Sequence, residues 1–143
     1  MYLNDKLNRF IQAQENTYHI ALNEIREGKK QSHWMWFIFP QVHGLGKSLI
    51  SQKYSIKNYD EAKDFINHDI LGSRLIEITK ALVKLENKSA KEIFGIPDYL
   101  KLKSSLTLFN IISTRNLIFS NALDKYFKGN ICDYTKNYFS DKK

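Results

Sequence analysis

The sequence predicts an all-α protein, a single compact domain over residues 1–143 with about six to eight helices, several of them short. Apolar residues recur every three or four positions in each long segment, which is the period of an amphipathic helix. No segment alternates apolar and polar residues for long enough to supply paired strands. A chain of 143 residues buries roughly two-thirds of its unfolded surface, which suffices for one core. We place this core at about 4–139 and expect 140–143 to be a loose tail.

Charge and composition exclude several classes of protein. With 43% apolar and 26% charged residues, the chain is typical of globular proteins. The net charge of +7 does not predict nucleic-acid binding, because the basic residues are scattered among acidic ones and form no cluster. The amino terminus lacks an apolar signal segment, and the longest apolar run, 34–39, is too short to span a membrane. We therefore expect a cytoplasmic protein without membrane contact.

Cysteine and histidine give no metal signature. Cys132 is the one cysteine of the chain, which excludes internal disulfides, and a single thiol without clustered histidines is a poor metal site. We therefore predict neither a metal nor another cofactor. No feature of the sequence predicts the oligomeric state.

The first element is a long amphipathic helix over 5–27, which Asn4 caps and Gly28 ends. Gln14 interrupts its apolar face. A buried amide costs roughly 1–3 kcal/mol unless it is hydrogen-bonded. This side chain therefore either tethers a neighbouring loop or faces a ligand.

The stretch from Ser32 to Ser48, S-H-W-M-W-F-I-F-P-Q-V-H-G-L-G-K-S, concentrates unusual residues. It holds both tryptophans, two of the four histidines and a pair of glycines. We predict a short helix that has Ser32 as its N-cap and ends before Pro40, because proline cannot continue the hydrogen-bond ladder. A buried strand is the alternative, but it would lack a partner strand. The concentration of aromatic, histidine and glycine residues indicates a functional segment.

The glycine pair is followed by Lys47 and Ser48, which invites comparison with a phosphate-binding loop. The pattern of that loop requires glycine where this chain has Gln41, so we do not predict a nucleoside triphosphatase. A weaker interpretation remains. The loop amides at Gly44 and Gly46, with the start of the next helix at Ser48, could bind an anion through unsatisfied N–H groups.

Helices are next predicted over 48–54, 60–67 and 69–86. Gly72 lies near the start of the third helix, where glycine costs roughly 1 kcal/mol relative to alanine. Its presence indicates that another element packs closely there. His68 precedes this helix, and Arg74 flanks its apolar stripe. For each of these two residues, a structural role as cap or surface charge stands beside a role in ligand binding.

A helix over 97–113 carries three polar residues on its apolar side. At about 100° per residue, Asp98 and Ser105 fall within the apolar arc and Lys101 lies at its edge. Capping by Asp98, a pair with Lys101 and a bond from Ser105 to its own helix would explain them structurally. A binding site is the other explanation. Shorter helices are predicted over 89–94, 116–128 and 133–139.

Five segments of the chain carry a resemblance to a known family: S-H-W-M-W-F-I-F-P-Q (32–41), G-L-G-K-S (44–48), L-G-S-R-L (71–75), I-F-G-x-x-D-x-x-K-L-K-S-S-L-T-L-F (93–109) and K-Y-F-x-G (125–129). They look like the uncharacterised bacterial family 1810 of domains of unknown function, some members of which are labelled calpastatin-like. The resemblance runs from about Phe10 to Thr135 and implies a mainly α-helical fold, but no biochemical role. Relatives typically have H-P-x-L-G, whereas Asp69 follows His68 here, which suits a first helical turn nearly as well.

Our first functional hypothesis is a site for a small anionic or nucleotide-like ligand, beside the 32–48 stretch. Such sites combine apolar and aromatic walls with a few convergent polar groups. If the site is catalytic, His33 or Asp98 would transfer the proton, and Arg74 or Lys101 would anchor the anion. The sequence assigns no reaction and leaves open whether the protein is an enzyme. The residues that we expect to bind the ligand are Gln14, Trp34, Trp36, Gln41, Gly44, Gly46, Ser48, His68, Arg74, Lys101 and Ser105.

The alternative hypothesis is a protein–protein interaction module, in which Trp34, Trp36 and Phe39 form an exposed patch. Exposure of the three rings distinguishes the two hypotheses. A concave pocket with inward polar groups favours a ligand site, whereas a flat aromatic patch favours an interface. Third, all three rings could belong to the core.

Overall fold

Ten α-helices follow a short 3₁₀ helix, Asp5–Leu7, in the computed structural model, which describes residues 5–140. The described residues contain no strand, only an isolated parallel bridge between Val42 and Ile56. The predicted all-α class is therefore confirmed, although the helices are shorter and more numerous than expected. They are α1 (Asn8–Gln14), α2 (Tyr18–Glu27), α3 (Met35–Ile38), α4 (Leu49–Lys53), α5 (Tyr59–Asn67), α6 (Leu71–Lys84), α7 (Ala90–Phe94), α8 (Asp98–Ile112), α9 (Ile118–Phe127) and α10 (Asp133–Ser140).

Helix α8 lies at the centre, packed against α5, α7, α9 and α10. Buried residues occur on most sides of it, as expected for a helix enclosed by others. A row of phenylalanine rings crosses the core from α1 to α9: Phe10 to Phe65 at 5.1 Å between centroids, Phe65 to Phe109 at 5.4 Å, and Phe109 to Phe119 at 5.9 Å. These contacts join four helices into one compact domain.

The predicted helix over 5–27 is broken in two, which corrects the sequence interpretation. Helix α1 ends at Gln14, and α2 begins at Tyr18. Between them lie Asn16 and Thr17, which are poor helix formers, and Thr17 N–H bonds back to the Gln14 carbonyl in a turn. Local propensity therefore ends α1 although the apolar period continues. The predicted cap, Asn4, lies outside the described residues.

Several predicted helix ends are confirmed. Gly28 ends α2 in the left-handed conformation, with φ of 80°. Helix α3 ends at Ile38, two residues before Pro40, so the segment is helical and not a strand. Ser89 and Glu92 form a capping box at α7. The final helix includes Ser140, which was predicted to belong to the loose tail, and 141–143 lie outside the described residues.

Gly72 is a point of close packing, as its position near the start of α6 predicted. A Cβ atom at Gly72 would lie 2.0 Å from the backbone oxygen of Ile66. Only glycine lets the end of α5 and the start of α6 approach so closely. None of the described helices is long and apolar enough to cross a bilayer.

Candidate functional site

The segment that enters α3 is held by the carboxylate of Glu24 on α2. Glu24 Oε1 accepts hydrogen bonds from Gln31 N–H at 2.8 Å, Ser32 N–H at 3.0 Å and Trp34 Nε1 at 2.9 Å. Its Oε2 accepts from the Ser32 hydroxyl at 2.6 Å. Ser32 is not the N-cap of α3, because the helix begins three residues later, at Met35. The N-cap position is Trp34, which makes no side-chain cap.

Glu24 is ionised well below neutral pH. Partial burial raises the pKa of its carboxyl, but the hydrogen bonds from Ser32, Gln31 and Trp34 outweigh burial and lower the pKa to about 2. A carboxylate that accepts several N–H and O–H bonds is favoured in its charged form. The entry to α3 thus depends on a charge that α2 supplies.

We expect Glu24→Gln to lower the free energy of unfolding by about 1–2 kcal/mol at pH 7, because charge-assisted hydrogen bonds are replaced by weaker ones. The pKa is depressed on folding, so the contribution of Glu24 is complete above its ordinary pKa of 4.5 and is lost as pH falls toward about 2. Urea denaturation at several pH values from 7 to about 3 measures this. The deficit of the variant should shrink at low pH.

Glu27→Gln is the matched control, because it removes a carboxylate from the same helix without touching these hydrogen bonds. A deficit of Glu24→Gln that is constant with pH, or equal to that of the control, would contradict the role of Glu24.

The tryptophans and Phe39 do not form an exposed patch, which corrects the alternative hypothesis. Trp34 and Phe39 are 0% exposed and contact Phe94 edge to face, at 6.2 and 5.9 Å between centroids. Trp36 is half-buried at the surface. Residues two positions apart on a helix point in nearly opposite directions, about 200° apart. Trp34 therefore packs into the core, whereas Trp36 faces the surface.

Two lysines converge on Asp98, the first residue of α8. Lys30 Nζ lies 2.9 Å from Asp98 Oδ2, and Lys101 Nζ lies 3.0 Å from Asp98 Oδ1. The Lys30 side chain is only 8% exposed, whereas those of Asp98 and Lys101 are 20% and 24% exposed. Lys30 also donates to the Ser32 carbonyl at 2.6 Å. Because two ammonium groups share one carboxylate, this cluster carries one net positive charge in a partly buried position.

The two ammonium groups also lie over the tryptophan rings. Lys101 Nζ is 4.4 Å from the Trp36 ring centroid, and Lys30 Nζ is 5.0 Å from that of Trp34. Both distances are within the range of a cation–π contact. These groups surround a pocket of about 230 Å³. Its walls are formed by Lys30, His33, Trp34, Met35, Trp36, Phe37, Ile50, Asp98 and Lys101.

Asp98 carries a negative charge at neutral pH. Burial raises the pKa of its carboxyl, but the hydrogen bonds and positive charges of Lys30 and Lys101 outweigh burial and lower the pKa. Asp98 is therefore not poised to donate a proton. His33 is exposed at the pocket wall and has no such partner among the described residues. Of the predicted site residues, five meet here: His33, Trp34, Trp36, Asp98 and Lys101.

Gln14 is a tether and does not line this pocket. Its Nε2 donates to the Phe37 carbonyl at 2.8 Å, and its Oε1 accepts from Arg74 at 3.4 Å. The Arg74 guanidinium lies 5.1 Å from the Tyr18 ring centroid. These contacts join α1, α3 and α6, so both predicted ligand residues have structural partners.

The glycine loop is explained by packing. Gly44 has φ of 100°, and a Cβ atom there would lie 2.1 Å from the Tyr134 hydroxyl oxygen. A Cβ at Gly46 would lie 2.5 Å from Ser51 and 2.7 Å from the Trp36 ring. Ser48 caps α4 by accepting from Ser51 N–H, and this helix has only five residues. The loop therefore packs against the Trp36 ring at Gly46 and does not line the pocket.

The remaining predicted residues also lie away from the pocket walls. His68 Nδ1 accepts from the N–H groups of Ile70 and Leu71, which is the capping role, one of the two roles that its position suggested. Gln41 Nε2 and Ser105 Oγ are buried without a hydrogen-bond partner among the described residues. Ser105 follows Lys101 by one helical turn, but lies behind it in the core.

Lys30 is the residue of the site that sequence reasoning missed. It follows Lys29 just beyond the end of α2, where two lysines are typical of a solvated helix end. Its partner Asp98 is far away in the sequence, and no periodicity connects the two positions. The polar residues on the apolar side of α8 indicated that Asp98 needs a partner for its charge, but they did not indicate that this partner is Lys30.

Comparison with known proteins agrees with this fold. The family model described as "Protein of unknown function (DUF1810)" matches residues 4–139, so the chain belongs to this family and the resemblance seen in the sequence is confirmed. A solved structure, the conserved hypothetical protein Rv1873 from Mycobacterium tuberculosis, is similar with 42% identity and a TM-score of 0.92. The similarity covers 94% of this chain and 96% of that chain. No curated protein matches significantly.

Proposed function

We propose that the protein binds a small anionic molecule in the pocket between α3 and the start of α8. The observation that carries this proposal is the Lys30–Asp98–Lys101 bridge beside Trp36. Lys30 is enclosed by its contacts, whereas Lys101 is more exposed and has donor capacity beyond its bond to Asp98. An incoming carboxylate or phosphate would meet this ammonium group on the side that faces the pocket.

Stability of the fold alone does not explain why charged residues form this bridge. Removing charged groups from water is costly, and apolar side chains of similar volume are often equally stabilising at such positions. Proteins keep such groups at sites where function requires them. The excess of one positive charge over the single carboxylate favours an anion and disfavours a cationic ligand.

The size of the pocket limits the ligand. Its volume of about 230 Å³ is below the range of roughly 300–1,000 Å³ that drug-sized ligands occupy. Trp34 is buried and cannot stack on a base, and Lys101 covers the Trp36 ring. We therefore favour, as the ligand, an acid with at most one ring. Only a part of a complete nucleotide would enter the pocket.

Tryptophan fluorescence tests this function directly, because the two tryptophans of the chain both lie at this site. Inorganic phosphate tests whether a simple anion binds, benzoate tests whether an acid with one ring binds, and AMP tests whether a complete nucleotide fits. We expect saturable quenching by at least one of them, and Lys101→Met should weaken its binding roughly tenfold to a hundredfold. The melting temperature of this variant should change little, because the charge that it loses is partly solvated.

Lys91→Met is the matched control, since Lys91 also lies over an aromatic ring, 5.2 Å from the Tyr99 centroid, but outside the pocket. It should bind the probe as the unchanged protein does. Absence of saturable quenching by all three probes, or equal weakening in both variants, would contradict the proposal.

A further inference from the structure

The outer side of α6 lines a second cavity, an open groove of about 690 Å³. Helix α6 packs against α2, α5 and α9 on its other sides. The groove residues along α6 and its C-cap, Leu85, are spaced at three and four positions from Ser73 onward. This spacing is the stripe with which one helix contacts another. It covers about 18 Å of helix length, which is enough for several turns of a second helix.

The floor of the groove is apolar and its rim is basic. Ile76, Ala81 and Leu85 are half-buried hydrophobic residues of the groove. Arg26, Lys80 and Lys84 are exposed around them. Alanine in the middle of the stripe permits a close approach of another backbone.

The three rim cations make no salt bridge to an acidic side chain in the described part of the chain. None of Arg26, Lys80 and Lys84 forms an ion pair within residues 5–140. Among the described residues that line the groove, the acidic one is Glu77, which accepts a hydrogen bond from the Tyr18 hydroxyl at 2.5 Å. Three cations against one carboxylate leave the groove with an excess of positive charge.

We propose that this groove binds an acidic amphipathic helix of a partner protein, in the manner of helix-in-groove recognition. The apolar stripe would receive the apolar face of the partner, and the basic rim would meet carboxylates on its flanks. A second copy of this chain fits poorly, because each copy has a net charge of +7. Nucleic acid would use the rim but would leave the apolar floor unused.

Fluorescence anisotropy with the full chain tests the proposal. The probe is a labelled peptide of roughly 18 residues, with leucines on one helical face, glutamates on its flanks and alanine elsewhere. The comparison peptide has the same composition, with its leucines distributed around the helix. We expect saturable binding of the first peptide, and at least tenfold weaker binding of the second.

Variants locate the binding. Lys80→Glu/Lys84→Glu should weaken binding of the first peptide at least tenfold. The charge-matched control Lys63→Glu/Lys136→Glu alters two exposed lysines outside the groove and should retain binding. Absence of binding, equal binding of both peptides or equal loss in both variants would overturn the proposal. Tighter binding of single-stranded DNA of equal charge would assign the groove to nucleic acid instead.

Discussion

Replacing Gly72 by alanine is expected to lower the free energy of unfolding by about 3 kcal/mol, the upper end for overpacked sites. The new Cβ atom would lie 2.0 Å from the backbone oxygen of Ile66. A flexible side chain could move away, but this oxygen belongs to the last turns of α5. Relief therefore requires α5 and α6 to separate, which would disturb the contacts of Phe65 and Leu71 in the core. Urea denaturation at pH 7 measures the loss.

Gly95→Ala is an informative comparison, because Gly95 is constrained by conformation and not by space. A Cβ there would meet no atom within 4 Å, but its φ is 76°. With ψ of 179°, Gly95 lies in a region of backbone conformation that is essentially restricted to glycine, so we expect a loss of roughly 1–3 kcal/mol. A loss below about 1 kcal/mol for Gly72→Ala would contradict the close contact of the two helices.

The helices could be predicted because their signals are local. Apolar period, the proline after α3 and the glycine after α2 lie within a few residues of the structure that they determine. The break between α1 and α2 was missed, since the apolar stripe continues across it and only the weak propensities of Asn16 and Thr17 oppose it. Gly72 was predictable in kind, because glycine inside a helix requires a reason, but its neighbour Ile66 was not.

Ser32 illustrates a local rule that a tertiary contact overrides. A serine before an aromatic run is a good N-cap by sequence, but the Glu24 carboxylate holds both the N–H and the hydroxyl of Ser32, and α3 begins only at Met35. The partner lies on the preceding helix, across the turn at Gly28. The sequence pattern of helix caps contains no information about such a contact between segments.

The site was predicted in part. The polar residues on the apolar side of α8 and the aromatic residues of the 32–48 stretch were both predicted to face inward. Asp98, Lys101 and Trp36 do meet at one pocket. The exposure of the tryptophans could not be read from the sequence, because an aromatic residue serves a core, a pocket or an interface equally well. Contacts between distant segments, such as Lys30 with Asp98, depend on the packing of whole helices.

Asp98→Ala is expected to lower the free energy of unfolding by about 3 kcal/mol, because it leaves the Lys30 ammonium nearly buried and unpaired. Lys30→Met should cost less, since Asp98 retains Lys101 and more contact with water. The double variant Lys30→Met/Asp98→Ala should be more stable than the sum of the single losses predicts, by at least about 1 kcal/mol. Urea denaturation of the four proteins gives this coupling energy.

Asp133→Ala is the control for the position of Asp98 at a helix start, because Asp133 is an exposed acidic residue in the first turn of α10. It removes the same interaction with the helix dipole without an ammonium partner, so we expect a much smaller loss. If Asp98→Ala and Asp133→Ala were equally harmful, or the double variant were merely additive, the lysine bridge would contribute nothing to the fold. Because the pKa of Asp98 is lowered, its stabilisation should be complete at neutral pH and decline only in acid, below the ordinary value of 3.8.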